Sequence, residues 1–338
     1  MSAPSPTQRP LTPDDVSRLI RASFGPSSTV AQCGPLAGGG FAAVWAVRLD
    51  DGRRVVLKVA PPGGVRLLRY ERGLCAAEAR YFRLVAERVP RVAVPPVLHH
   101  GIDPAYGEWL VTGLLPGRSL AELAADGGAD DAPARHDLGV ALAALHRVSG
   151  ARFGYDDARP SGSTWRAAFV SMVDALLADA ADWDVRLPGG PDRVRALLRR
   201  HAAALDAVRR PALLHFDCWD GNVLAAPGPD GRLRMTGLVD GERFLYGDPL
   251  LDLVSPLLLR RAEDEPDHPV LRGYRSASAE PFDLDAGARR RLSLYRLHLY
   301  LLMTVEMPSR GMTPQTHPER HAGLADLLDA ELDALGGD

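Results

Sequence analysis

Lysine is almost missing from this chain. Of its forty Lys and Arg residues only Lys58 is a lysine, so the one exception marks a position where the broader guanidinium does not serve. Cysteine is scarce as well. Cys33, Cys75 and Cys218 are odd in number, widely spaced and without a metal-ligand pattern. That excludes a disulfide framework or a zinc cluster and fits reduced thiols in a cytoplasmic protein. No stretch is apolar enough to span a bilayer, and the opening MSAPSPTQRPLTPDD has no apolar signal core, so a soluble intracellular protein is expected. Neither sign of charge dominates. A net charge of −3 and a pI near 6.4 exclude a basic field for nucleic acid or an anionic membrane surface. The GxxxxGK[ST] phosphate loop is absent too.

What is present is length enough for two lobes. The 338 residues divide into a strand-rich front and a helical remainder, an α+β pattern. The first ten or so residues are Pro/Ser-rich and read as loose. A helix starts at Thr12, with Thr as N-cap, Pro13 in the first turn and Asp14 and Asp15 favoured by the helix dipole. Strand patterns run from Val30 to about Ala60, with Asp50-Asp51-Gly52 as a hairpin turn. Residues 67 to 88 have helical spacing, and further strands fit at 96–99 and 109–114. Beyond that the apolar spacing is helical around Leu138–Leu145, Trp165–Leu176, Val194–Leu198 and 288–306. The only strand-like interruption is a hairpin between 222 and 240, where a Pro/Gly/Asp-rich turn separates two apolar segments.

That hairpin carries the most informative residues. HFDCWDGN at 215–222 precedes it, and TGLVDGE closes it. Asn222 at the start of one strand and Asp240 at the end of the other then lie side by side, two oxygen donors suited to Mg²⁺, a hard cation. Asp217, on the loop just before, is poised to meet a substrate hydroxyl. An Asp, an Asn five residues on and an Asp after a hairpin is the protein-kinase order of base and metal ligands.

Lys58, in the apolar run RRVVLKVA, suits a compact ammonium reaching phosphate oxygens from a strand. Gly38, Gly39 and Gly40 lie between strands rather than before a helix, which argues against a dinucleotide fingerprint and fits a turn whose amides approach phosphates. Glu78 follows Lys58 by twenty residues and is preferred over Glu71 and Glu87 as its partner, because Ala77 and Tyr81 flank it on the inward face. His215 reads as a loop-shaping residue, Asp248 and Asp252 as buried braces of the loop. Asp220 reads as a brace or an exposed residue. Tyr274, Glu306 and Arg310 fit either a substrate cleft or helix packing, and Glu263-Asp264-Glu265 a solvated loop in preference to an attractor of a cationic substrate.

HFDCWDGN followed by LVDGERFLYGDPLLDL resembles the aminoglycoside phosphotransferase family of protein-kinase-like small-molecule kinases. The likeness runs from GGGFAAVWAV and VVLKVA through LHRV to the helix at 288–310. The resemblance implies a bilobal fold. Residues 1–112 would form a small β-rich N-lobe with one helix, and 113–338 a larger, mainly helical lobe. It also implies Asp217 as the base, Asn222 and Asp240 holding Mg²⁺ on ATP, and Lys58 with Glu78 orienting the α- and β-phosphates. Two departures stand out. Gly241 replaces the usual aromatic after Asp240. The hinge LVTGLLPG lacks the frequent acidic residue, which leaves ATP versus GTP open. The expected activity is ATP-dependent phosphorylation of a small-molecule hydroxyl, on an antibiotic or a sugar-like metabolite. A housekeeping kinase of the choline, homoserine or fructosamine type and a nucleotide-binding pseudokinase are the alternatives.

Overall fold

The computed structural model describes residues 5–36, 39–127, 130–279 and 281–337. Thr12 and Asp15 close a capping box, with Asp15 N donating to Thr12 Oγ1 at 3.2 Å and Thr12 N to the Asp15 carboxylate at 2.9 Å. It starts helix α1 (Pro13–Phe24) where the Thr-Pro-Asp-Asp run predicts. Val16, Leu19 and Ile20 of α1 pack on one face of a five-stranded antiparallel sheet. Its strands are β1 (Val30–Pro35), β2 (Ala43–Leu49), β3 (Arg54–Val59), β4 (Val97–Asp103) and β5 (Gly107–Gly113), in the order β1-β2-β3-β5-β4. Along β3, Val55, Leu57 and Val59 are buried in the core shared with α1. The two-residue period of a strand therefore turns Val56 and Lys58 to the other face. Helix α2 (Leu74–Arg88) lies between β3 and β4 in the chain and meets Lys58 there.

The helix expected over 67–88 is shorter. Residues 69–71 form a single 3-10 turn, Arg72 is extended, and Gly73 sits at φ +69°, so α2 begins only at Leu74. The cause lies in Glu71, whose buried carboxylate accepts Leu68 N at 2.9 Å and ties the segment into a turn. The opening residues are also not loose from Ser5 onward. Thr7 is fully buried, and its hydroxyl donates to Gly40 O at 2.9 Å.

The remainder comprises β6 (Arg118–Ser119), α3 (Leu120–Asp126), α4 (Ala132–Leu145), β7 (Phe153–Tyr155), β8 (Ser161–Gly162), α5 (Trp165–Asp182) and α6 (Gly190–Leu205). There follow β9 (Ala212–Leu214), β10 (Val223–Pro227), β11 (Leu233–Leu238), β12 (Leu245–Gly247), α7 (Pro269–Ala277), α8 (Ala286–Glu306) and α9 (Pro318–Gly337). The predicted hairpin is β10–β11, with Val223 opposite Leu238. It is not the only strand pair of this half. β6 adds to β10, and β8-β7-β12-β9 form a second small sheet. Strands of two or three residues are too short for alternation to register in sequence. Helix α8 is buried on nearly every side from Leu292 to Val305, polar residues such as Ser293, Arg296 and His298 included. Among the described residues no helix is long and apolar enough to cross a membrane.

Candidate active site

Lys58 is held by carboxylates from two other elements. Its Nζ lies 2.7 Å from Glu78 Oε1 on α2 and is bonded also to Asp240 Oδ1, just beyond β11. Burial disfavours the ammonium, but Asp240 and Glu78 outweigh that cost and hold Lys58 well above its ordinary pKa. Burial equally opposes the Asp240 carboxylate, and Lys58 overcomes it, keeping Asp240 below the usual range. Of the three glutamates weighed for this role, Glu78 is the one at Lys58. Glu71 pairs with Arg310 instead.

The segment around Asp217 is fixed by a buried carboxylate beneath it. Asp252 accepts His215 N at 2.9 Å and Phe216 N at 2.5 Å, and His146 Nε2 lies 3.0 Å from it. Phe216 takes a left-handed conformation, φ +69°, which costs energy that these bonds offset. His215 donates through Nε2 to Val239 O at 3.0 Å, so its Nδ1 accepts the amide of Asp217 at 3.3 Å. The ring thus ties the loop to the end of the hairpin, the loop-shaping role read from the sequence. Asp248 braces a different place, accepting from Arg291, Tyr295 and Leu250 N. Asp220 forms a two-bond pair with Arg135, both at 2.8 Å, and its carbonyl accepts Ala121 N, so the far end of the loop is anchored too.

Asn222 Nδ2 donates to Asp217 O at 2.8 Å, and Asn222 O accepts Val239 N at 3.1 Å. With its amide nitrogen committed, Asn222 Oδ1 is the end left to a cation. Asp240, at φ +63°, begins a turn that brings Glu242 in beside it. Glu78, Asp240 and Glu242 each present an oxygen within 4.8 Å of the others, and Glu78 Oε2 is buried without a partner among the described residues. Such an all-oxygen set fits a hard divalent cation. Burial, with Asp240 alongside, pushes Glu242 up to about 8.

Sequence reasoning missed Arg243. Its Nε lies 3.8 Å from Asp217 Oδ2 and its Nη2 donates to Glu306 at 2.8 Å. Glu306 in turn takes Tyr70 OH and lies 3.8 Å from Arg310. Arg310 stands over the Phe41 ring at 5.1 Å, beside Gly40. A polar network therefore runs from Asp217 to the glycine-rich segment. The one signal in the sequence was a charged GER wedged between apolar runs. Gly39 and Gly40 occupy the turn between β1 and β2, and Gly38 lies outside the described residues. Tyr274 is not in the cleft: it is buried against His146 and Phe282. Of the acidic run, Glu263 is half-buried in a pair with Arg296 rather than solvated, while Asp264 is exposed as expected.

A two-lobed fold with a lysine–glutamate pair in one lobe and an Asp-Asn-Asp set in the other defines the class of kinase-like small-molecule phosphotransferases. The chain belongs to the phosphotransferase enzyme family (APH), whose sequence profile matches residues 33–295. It is 28% identical over 238 residues to the "Probable ketoamine kinase YniA" of Escherichia coli, covering 67% of this chain and 72% of that protein. Among solved structures it is similar to a "putative fructosamine-3-kinase" from Thermobifida fusca YX-ER1. There the TM-score is 0.65 at 22% identity, over 95% of this chain and 99% of that one. It is also similar to a thermostable mutant of aminoglycoside phosphotransferase APH(4)-Ia in a ternary complex with ADP and hygromycin B. That TM-score is 0.61 at 19% identity, over 94% and 98% of the two chains.

Proposed function

We propose that the chain transfers the γ-phosphoryl group of a Mg²⁺-bound nucleoside triphosphate, ATP first, to a hydroxyl of an amine-bearing, sugar-like small molecule. The observation that carries this reading is the convergence of β3, α2 and the hairpin on Lys58, with Asp217 tied to Asn222 on the adjoining loop. In it Asp217 takes the proton of the acceptor hydroxyl. Lys58, steadied by Glu78, orients the α- and β-phosphates, and the turn of Gly39 and Gly40 offers its amides to them. Asn222 and Asp240 would hold the cation, which when bound neutralises phosphate charge. The lobes divide near residue 112. The choice of a ketoamine-like acceptor over a polycationic antibiotic rests on the likeness to the ketoamine and fructosamine kinases and on the positive charge of Arg243, 3.8 Å from Asp217.

The test is phosphate transfer from Mg-ATP and Mg-GTP across ketoamines, aminoglycosides, macrolides and simple amino alcohols, with mass detection of the product. Ketoamine phosphorylation is expected, and Asp217→Asn should lower its kcat by roughly 10²–10⁴-fold with nucleotide binding retained. Turnover near wild type in that variant removes Asp217 as the base. Exclusive turnover of an antibiotic replaces the proposed acceptor.

A further inference from the structure

The segment Ser5–Gln8 lies across the glycine-rich turn rather than free of it. Thr7, with no exposed surface, donates its hydroxyl to Gly40 O at 2.9 Å. Gln8 Nε2 donates to Gly39 O at 2.7 Å and reaches Ala42 O at 3.4 Å. The segment is itself folded into a turn. Gln8 N donates to Ser5 O at 2.9 Å, Ser5 N to Gln8 Oε1 at 3.2 Å, and the hydroxyls of Ser5 and Thr7 are 2.9 Å apart. Pro6 reaches the far lobe, where a methyl group added to Gly311 would sit 3.2 Å from Pro6 Cδ. Gly311 immediately follows Arg310, which stands over Phe41 and beside Gly40. Strap, glycine-rich turn and the segment after α8 thus meet at one point.

From this geometry we infer that Thr7 and Gln8 are positioning residues for nucleotide binding: they hold the glycine-rich turn by its carbonyls so that its amides face the cleft. The reason is the planarity of the peptide unit. In a trans peptide the C=O of one residue and the N–H of the next point in opposite directions. Fixing Gly39 O and Gly40 O on the strap side therefore turns the amides of Gly40 and Phe41 to the other side. A glycine turn left to itself samples many orientations of these planes, and the cost of ordering it falls on the ligand. The strap meets that cost before the nucleotide arrives. The inference rests on the phosphate-binding reading of the glycine turn and adds the device that orients it.

The experiment uses the full chain with Thr7→Val, which keeps the shape and removes the donor, Thr7→Ser, which restores it, and Gln8→Ala at the more open contact. Two quantities are read: the Kd of Mg-ATP, and amide hydrogen exchange at residues 40–42 without nucleotide. Thr7→Val is expected to weaken Mg-ATP roughly 5- to 20-fold, the loss of one buried hydrogen bond, with faster exchange at 40–42. Gln8→Ala should have a smaller effect in the same direction, and Thr7→Ser should recover both readouts. The acceptor KM should stay unchanged, which a general loss of structure would not allow. Unchanged exchange and unchanged Kd in both Thr7→Val and Gln8→Ala overturn the inference. Faster exchange with unchanged Kd leaves the strap's hold on the turn standing and overturns its part in binding, because the turn is then not where the phosphates sit. Should Thr7→Val fail to fold, Gln8→Ala alone decides by the same two readouts.

Discussion

Lys58 Nζ is bonded at once to a strand-facing helix and to the end of the hairpin, so one ammonium joins three elements. A guanidinium carries the same charge but spreads it over a plane with divergent donors. In a buried site with Glu78 fully enclosed, the larger group displaces either Glu78 or Asp240. Lys58→Arg should therefore lower kcat/KM by about 100-fold, the order expected when a reacting group is misplaced by an ångström. Folding should be retained, since the charge still has carboxylates to meet. Steady-state kinetics with a melting curve on the same sample check this. Activity within a few-fold of wild type would mean that the rarity of lysine in this chain carries no meaning at position 58.

At the scale of elements, the join between α2 and the hairpin explains the glycine after Asp240. A methyl group on Gly241 would lie 2.1 Å from Tyr81 Cδ1. Tyr81, fully buried, packs its ring against His215 at 5.3 Å and Phe244 at 5.5 Å. Tyr81 of α2 fills the space beside residue 241, and glycine there makes room for it. Gly241→Ala should destabilise the protein by about 1–3 kcal/mol through overpacking. Combining it with Tyr81→Leu should return part of that loss, a coupling measurable by denaturant unfolding of the four proteins in the cycle. Strict additivity would show that the two residues do not compete for space. Tyr81 illustrates what could be read beforehand. Helical spacing was enough to put Glu78 and Tyr81 on the inward face of one helix, and alternation was enough to place Lys58 on a strand. What filled the space over Gly241 depended on a contact between elements 160 residues apart in the chain, for which a single sequence carries no period. The same holds for Arg243, whose meeting with Asp217 and Glu306 is purely tertiary. The break at Gly73 was legible only as a glycine, and its left-handed conformation followed from the turn held by Glu71.

Across the whole molecule, the loop that carries Asp217 rests on the helical core through an imidazole. His298 of α8 stacks on Phe216 at 5.6 Å between centroids and meets Phe169 of α5 edge-on at 5.4 Å. Neither ring nitrogen has a hydrogen-bond partner among the described residues. Burial alone holds its pKa down at about 3, against an ordinary value of 6.5. The sign follows directly. Between those values the unfolded chain binds a proton that the folded chain refuses, so folding stability falls as pH drops below about 6.5 and this contribution is intact above it. The loss approaches about 1.4 kcal/mol per pH unit within the window. Other groups, such as Asp15 held at about 2 by the Thr12 backbone amide, also lose stability in acid. The wild-type curve alone therefore cannot isolate His298, but the difference between two proteins can. His298→Phe keeps a flat ring between Phe216 and Phe169 and removes two unpaired polar atoms, so it should gain about 1–3 kcal/mol near neutral pH. Its advantage over wild type should then widen steadily from pH 6.5 down to about 4.5. Denaturant unfolding at half-unit pH intervals measures both curves. A difference that stays constant with pH would place a partner on the ring and remove His298 as the source of acid sensitivity.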